Sequence, residues 1–108
     1  MPLRLPDKWV WDFWLARDGA DYHVFYLQAP RALAEEQLRH FKATVGHAVS
    51  KDLENWRVLP DALRPGPRGA WDESAVWTGS VIRSSGTWHM FYTGVRSEEG
   101  STVQRVGS

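Results

Sequence analysis

The chain has 108 residues with 13 basic and 13 acidic side chains, so its formal net charge is zero and no long-range field draws it to nucleic acid or an anionic membrane. It has no cysteine, which excludes a disulfide framework and thiol chemistry, and no apolar run near the roughly 18 residues of a membrane span. The opening Met1-Pro2-Leu3-Arg4-Leu5-Pro6 lacks the apolar core of a secretory signal, so a cytoplasmic protein is expected.

The first predicted strand, residues 10–17, is aromatic and β-branched but is interrupted by Asp12. The turn signal Asp18-Gly19-Ala20-Asp21 leads into a second strand at 22–28, which makes a hairpin. Residues 30–41 predict a short helix, with Leu33, Gln37, Leu38 and Phe41 on one side. A third strand is expected at Thr44–Ser50, a turn at Lys51–Asn55, and a fourth strand at Trp56–Leu59 ended by Pro60. Residues 61–75, with Arg64-Pro65-Gly66-Pro67-Arg68-Gly69, read as an irregular linking loop. A second hairpin follows over 76–95, turning at Ser84-Ser85-Gly86-Thr87, and Val103–Ser108 begins another strand.

Sliding the chain by 66 positions superposes the two hairpins without a gap. Trp11 falls on Trp77 and Arg17 on Arg83, while His23, Phe25 and Tyr26 fall on His89, Phe91 and Tyr92. Four antiparallel strands followed by a return to the opening pattern are the grammar of a propeller blade. The expected fold is all-β: an incomplete β-propeller with one four-stranded antiparallel blade, part of a second, and a short helix between strands two and three of the first. The single module divides into blade one at about 9–60, the linking loop at 61–75 and partial blade two at 76–108. By the repeat, the chain stops inside the third strand of blade two. Open blade edges and uncovered faces predict self-association.

The seven Trp divide in the same frame. Trp56 and Trp88 read as packing residues. For Trp11, Trp71 and Trp77 two roles stand side by side: packing on a pleated sheet, or a platform for a sugar ring. Asp12 is unusual among indoles, because a carboxylate there costs free energy unless it is hydrogen-bonded or wet. Its counterpart in the second repeat is Thr78, so the blade does not require an acid at this point. An outward Asp at a strand edge, or one capping a turn, is the alternative to a catalytic role.

Three segments carry a family resemblance: Val10-Trp11-Asp12-Phe13-Trp14, then Tyr22-His23-Val24-Phe25-Tyr26, then Gly46-His47-Ala48-Val49-Ser50-Lys51-Asp52-Leu53-Glu54-Asn55-Trp56. Together they resemble the invertase, levansucrase and arabinanase group, the five-bladed propellers of glycoside hydrolase families 32, 43 and 68. Trp77-Thr78-Gly79-Ser80-Val81 is similar to that group's Trp/Phe-Ser-Gly-Ser motif. The resemblance implies a glycoside hydrolase acting on fructosides or pentosides, with Asp12 at the nucleophile or general-base position. It also implies substrate contacts from Trp11, Gln28, Trp77, Thr78 and Ser80. Asp72 is either an acid near the channel mouth or a solvated loop residue.

The group's Arg-Asp-Pro triplet is absent from the sequence. None of Glu35, Glu36, Glu54, Glu73, Glu98 and Glu99 stands in the context of its proton donor. Loss of general acid catalysis alone typically costs roughly 10²–10⁴-fold, so the isolated chain is expected to be inactive. No cofactor is expected and no metal: His23 and His89 hold equivalent repeat positions and read as structural, and His40 and His47 form no His-Glu-x-x-His pattern. The alternative function is a non-catalytic module that binds carbohydrate or assembles with itself.

Overall fold

A computed structural model describes residues 2–33 and 35–108. Seven strands form two antiparallel sheets. The first sheet contains β1 (Lys8–Asp18), β2 (Asp21–Pro30), β3 (Thr44–Ser50) and β4 (Arg57–Leu63), in that spatial order. The second contains β5 (Ala75–Ser84), β6 (Thr87–Glu98) and β7 (Ser101–Gly107), again in chain order. Two such meanders side by side are successive propeller blades, as the sequence predicts.

The 66-residue repeat is reproduced residue by residue in the strand pairing. Trp11 pairs with Leu27 and Trp14 with Phe25; in the second sheet Trp77 pairs with Thr93 and Ser80 with Phe91. Each first strand carries one irregularity at the same point, between Trp11 and Phe13 in β1 and between Trp77 and Gly79 in β5. Asp12 and Thr78 are the residues left over. A bulge of this kind bends a strand and re-aims a side chain.

Two elements differ from the sequence expectation. The fourth strand does not end at Pro60 but crosses it to Leu63, with a shift of register opposite Gly46. Proline lacks the N–H of a ladder bond, yet β4 is an edge strand and the irregularity falls at Pro60, which is where sheets tolerate it. The predicted helix is a six-residue 3-10 helix, Glu36–Phe41, with no buried residue. Leu38 and Phe41 are 40% and 47% exposed and Leu33 is half-buried, so the side proposed as apolar is only partly covered.

The main core lies between the sheets. Trp14, Phe25, Leu27 and Val45 from the first meet Val76 and Tyr92 from the second. The N–H of Val76 also donates to the carbonyl of Ala43 at 3.3 Å, tying β5 to the start of β3. A smaller core covers the other face of the first sheet, where Leu3, Leu5 and Trp56 pack on Val24, Tyr26 and Ala48. Trp56 is thus a packing residue. Being covered on both faces explains the unbroken burial of β2 from Val24 to Ala29. Gly46 is required there: a Cβ would lie 2.7 Å from Cζ of Tyr26 and 2.9 Å from Oε1 of Gln28.

The turn from β3 to β4 is built on Asp52. Its carboxylate accepts from the main-chain N–H groups of Asn55 and Glu54, the Asn55 side chain and the Ser50 hydroxyl. These bonds, led by the main-chain donation from Asn55, hold the Asp52 carboxyl well below the usual range. In the linking loop, Trp71 stacks on Tyr92 at 5.2 Å between ring centres and lies against Gly94 and Gly107. Trp71 therefore packs. Asp72 is buried and accepts from the Tyr92 hydroxyl at 2.7 Å. It is not a solvated loop acid but an anchor of the loop.

Candidate active site

The two bulges meet. The Thr78 hydroxyl donates to Oδ2 of Asp12 at 3.0 Å, so equivalent points of the two repeats are joined. Asp12 has φ of 41°, the left-handed region that a residue with a Cβ enters at a cost. It is exposed, and it lies neither at a strand end nor at a turn. The backbone bends to hold this carboxylate at the seam of the two sheets, and Thr78 orients one of its oxygens. Among the described residues Oδ1 has no protein partner.

Around this pair is a cleft of about 340 Å³ lined by Trp11, Asp12, Leu27, His40, Trp77 and Thr78. β1 and β5 supply the two indoles and the two bulge residues, and β2 supplies Leu27. The Trp77 Nε1–H donates to the carbonyl of His40 at 2.7 Å. The His40 ring stands edge-on to Trp11, with centres 6.0 Å apart and planes at 82°. The Arg39 guanidinium lies 5.3 Å over the Trp11 ring and pairs with Glu36 at 3.2 Å. Apolar ring faces beside a carboxylate and polar tips make a surface that can hold a polyhydroxylated ring.

Four of the six residues singled out from sequence, Trp11, Asp12, Trp77 and Thr78, come together here. Gln28 does not. It is buried, donates to Thr44 at 3.2 Å and Asp61 at 2.7 Å, and accepts from Lys8 at 3.4 Å. Strand alternation turns it away from Leu27, and its amide ties β1 through β4 together. Ser80 is exposed on β5 and does not line the cleft. His40 was missed, because it lies in the inserted segment, where no repeat or motif marks it.

The histidines expected to be structural divide. His23 and His47 share a hydrogen bond of 2.8 Å across β2 and β3, and Phe25 stacks on His47 at 4.5 Å. His89 is exposed and stacks on Phe91. Among the described residues no three His, Cys, Asp or Glu side chains form a metal-binding group.

Comparison with known proteins adds the family. Residues 14–107 match the glycosyl hydrolases family 32 N-terminal domain, a span that begins two residues after Asp12. Beta-fructofuranosidase 1 of Zea mays is 37% identical over 86 residues, covering 79% of this chain and 12% of that protein. A bifunctional 6(G)-fructosyltransferase/2,1-fructan:2,1-fructan 1-fructosyltransferase of Allium cepa is 59% identical over 62 residues, covering 56% of this chain and 9% of that protein. The crystal structure of fructan 1-exohydrolase IIa from Cichorium intybus superposes with a TM-score of 0.75 at 31% identity, covering 96% of this chain and 18% of that one. The chain spans about a tenth of the length of the curated relatives it matches. With the repeat, the paired blades and a match over residues 14–107, the chain belongs to glycosyl hydrolase family 32, to its N-terminal propeller domain.

Proposed function

We propose that this chain supplies the anionic side of a fructoside-cleaving site, with Asp12 as nucleophile or general base. The observation that carries this reading is the Asp12–Thr78 contact at paired bulges: a carboxylate held at φ 41° has one oxygen oriented by Thr78 and the other free in an indole-lined cleft. As nucleophile, Oδ1 bonds to the anomeric carbon while the glycosidic C–O bond breaks and the leaving oxygen takes a proton from a carboxylic acid. As general base, the same oxygen takes a proton from the water that attacks instead. Trp11 and Trp77 hold the sugar by their ring faces.

Either route needs a second carboxyl group as acid. Asp12 is the one carboxylate lining the cleft among the described residues. The isolated chain therefore binds sugar without turning it over. The acid has to come from outside the residues that line this cleft.

Titration of the chain with sucrose tests this reading by tryptophan fluorescence, with reducing-sugar release as a second readout. A saturable fluorescence change without release is expected. Asp12→Asn is expected to weaken binding roughly tenfold, the scale of a hydrogen bond to a charged group. No fluorescence response in the wild type, or an Asp12→Asn chain that binds equally well, overturns the reading.

A further inference from the structure

His40 is the cleft residue that the repeat does not explain. It comes from the 3-10 helix inserted between β2 and β3, an element with no counterpart in the second repeat. Its position is fixed through the main chain, by the bond from Trp77 to its carbonyl, and by the edge contact of its ring with Trp11. The inserted helix thus reaches an indole of each blade. The residue is half-buried, and among the described residues neither imidazole nitrogen has a protein partner.

The hydrogen-bonding inventory of the cleft gives His40 a distinct place. The Asp12 carboxylate only accepts, the Thr78 proton is committed to Asp12, and the Trp77 N–H is committed to the His40 carbonyl. A neutral imidazole carries one donor and one acceptor. Alone among the six lining residues, His40 offers both, uncommitted. We infer that His40 binds a hydroxyl group of the sugar in the cleft and is a specificity-determining residue, with the inserted helix as the element that carries this selectivity. The inference rests on the reading of the cleft as a fructoside site. It adds a polar contact that the blade repeat does not encode. A sugar lacking the matching hydroxyl would leave the imidazole unpaired and be rejected on that account.

The test uses the 108-residue chain with its four histidines isotopically labelled, titrated with sucrose. Tryptophan fluorescence gives the affinity and NMR follows the imidazole resonances. The His40 ring signals are expected to shift with the same dissociation constant as the fluorescence, while those of His23, His47 and His89 stay in place. His40→Ala, which keeps the carbonyl that holds Trp77, is expected to weaken binding roughly 3- to 10-fold. His40→Gln, which retains a donor and an acceptor, is expected to restore affinity to within about twofold. A folded His40→Ala chain with wild-type affinity, beside an Asp12→Asn chain that has lost it, overturns the role of His40 and leaves the cleft reading standing. A wild type that does not respond to sucrose overturns both. Should His40→Ala not fold, the wild-type NMR titration decides, and unmoved His40 signals overturn the inference.

Discussion

At the scale of single residues, Asp12 combines a positive φ, which opposes stability, with an exposed charge that the Thr78 hydroxyl satisfies. Alanine and glycine substitutions separate them. Both remove the bond from Thr78, but only glycine takes up the left-handed conformation freely. Asp12→Gly is expected to be more stable than Asp12→Ala by roughly 1 kcal/mol in chemical denaturation. Equal stabilities would show that the bulge stores no strain. Tyr92 makes the second residue-scale case. Burial, with the hydrogen bond to Asp72 and its charge, pushes the phenol up to about 12. The hydroxyl therefore keeps its proton and donates a hydrogen bond to the buried carboxylate. Tyr92→Phe leaves Asp72 without this donor and is expected to cost about 1–3 kcal/mol, measured by urea unfolding. A change within experimental error would mean that Trp71 and the bonds of Arg96 to Gly69 and Glu73 anchor the loop without Tyr92.

At the scale of elements, the His23–His47 bond makes the pairing of β2 with β3 sensitive to acid. The two nitrogens are 2.8 Å apart, so one donates and the other accepts, and protonating both rings would set two N–H donors against each other. Burial first, and the charge of His23 second, hold the His47 imidazole below its ordinary value of 6.5. In the unfolded chain His47 takes up a proton near 6.5, while in the folded chain its imidazole resists until lower pH. The unfolded state thus binds more protons in that window, and stability falls as pH drops through it. The melting temperature is expected to decline between about pH 7.5 and 5.5, and His47→Gln to flatten that decline. An unchanged slope in the variant would remove His47 as its source.

At the scale of the whole molecule, the two blades form an open structure. The radius of gyration is 14.6 Å, against about 13 Å for a compact domain of this length. Its principal extents are 46 × 37 × 18 Å. Phe13, Ile82, Phe91 and Val106 stand 43–77% exposed, and β4 and β7 are edge strands. Edges and apolar faces of this kind favour association with another chain. Light scattering at micromolar concentration is expected to give a mass above the 12.4 kDa of one chain. A stable monomer would show that the core between the sheets and the cover of Leu3, Leu5 and Trp56 suffice.

The sequence by itself determined the strands, their order and the repeat, because alternation, turn residues and aromatic spacing are local signals. It also marked Asp12, since one copy of the repeat has an acid where the other has Thr78. Pro60 misled because proline breaks an interior strand, and only the sheet order showed that β4 is an edge. Gln28 lies outside the cleft, which a motif position does not state; its neighbours Thr44 and Asp61 come from other strands. Asp72 and His40 were undecided or unseen for the same reason, since burial beside Tyr92 and contact with Trp77 depend on separations of 20 and 37 residues. What only the tertiary structure decided is that the two copies of one bulge meet. A repeat in sequence sets the distance along the chain, but packing between blades places Thr78 against Asp12.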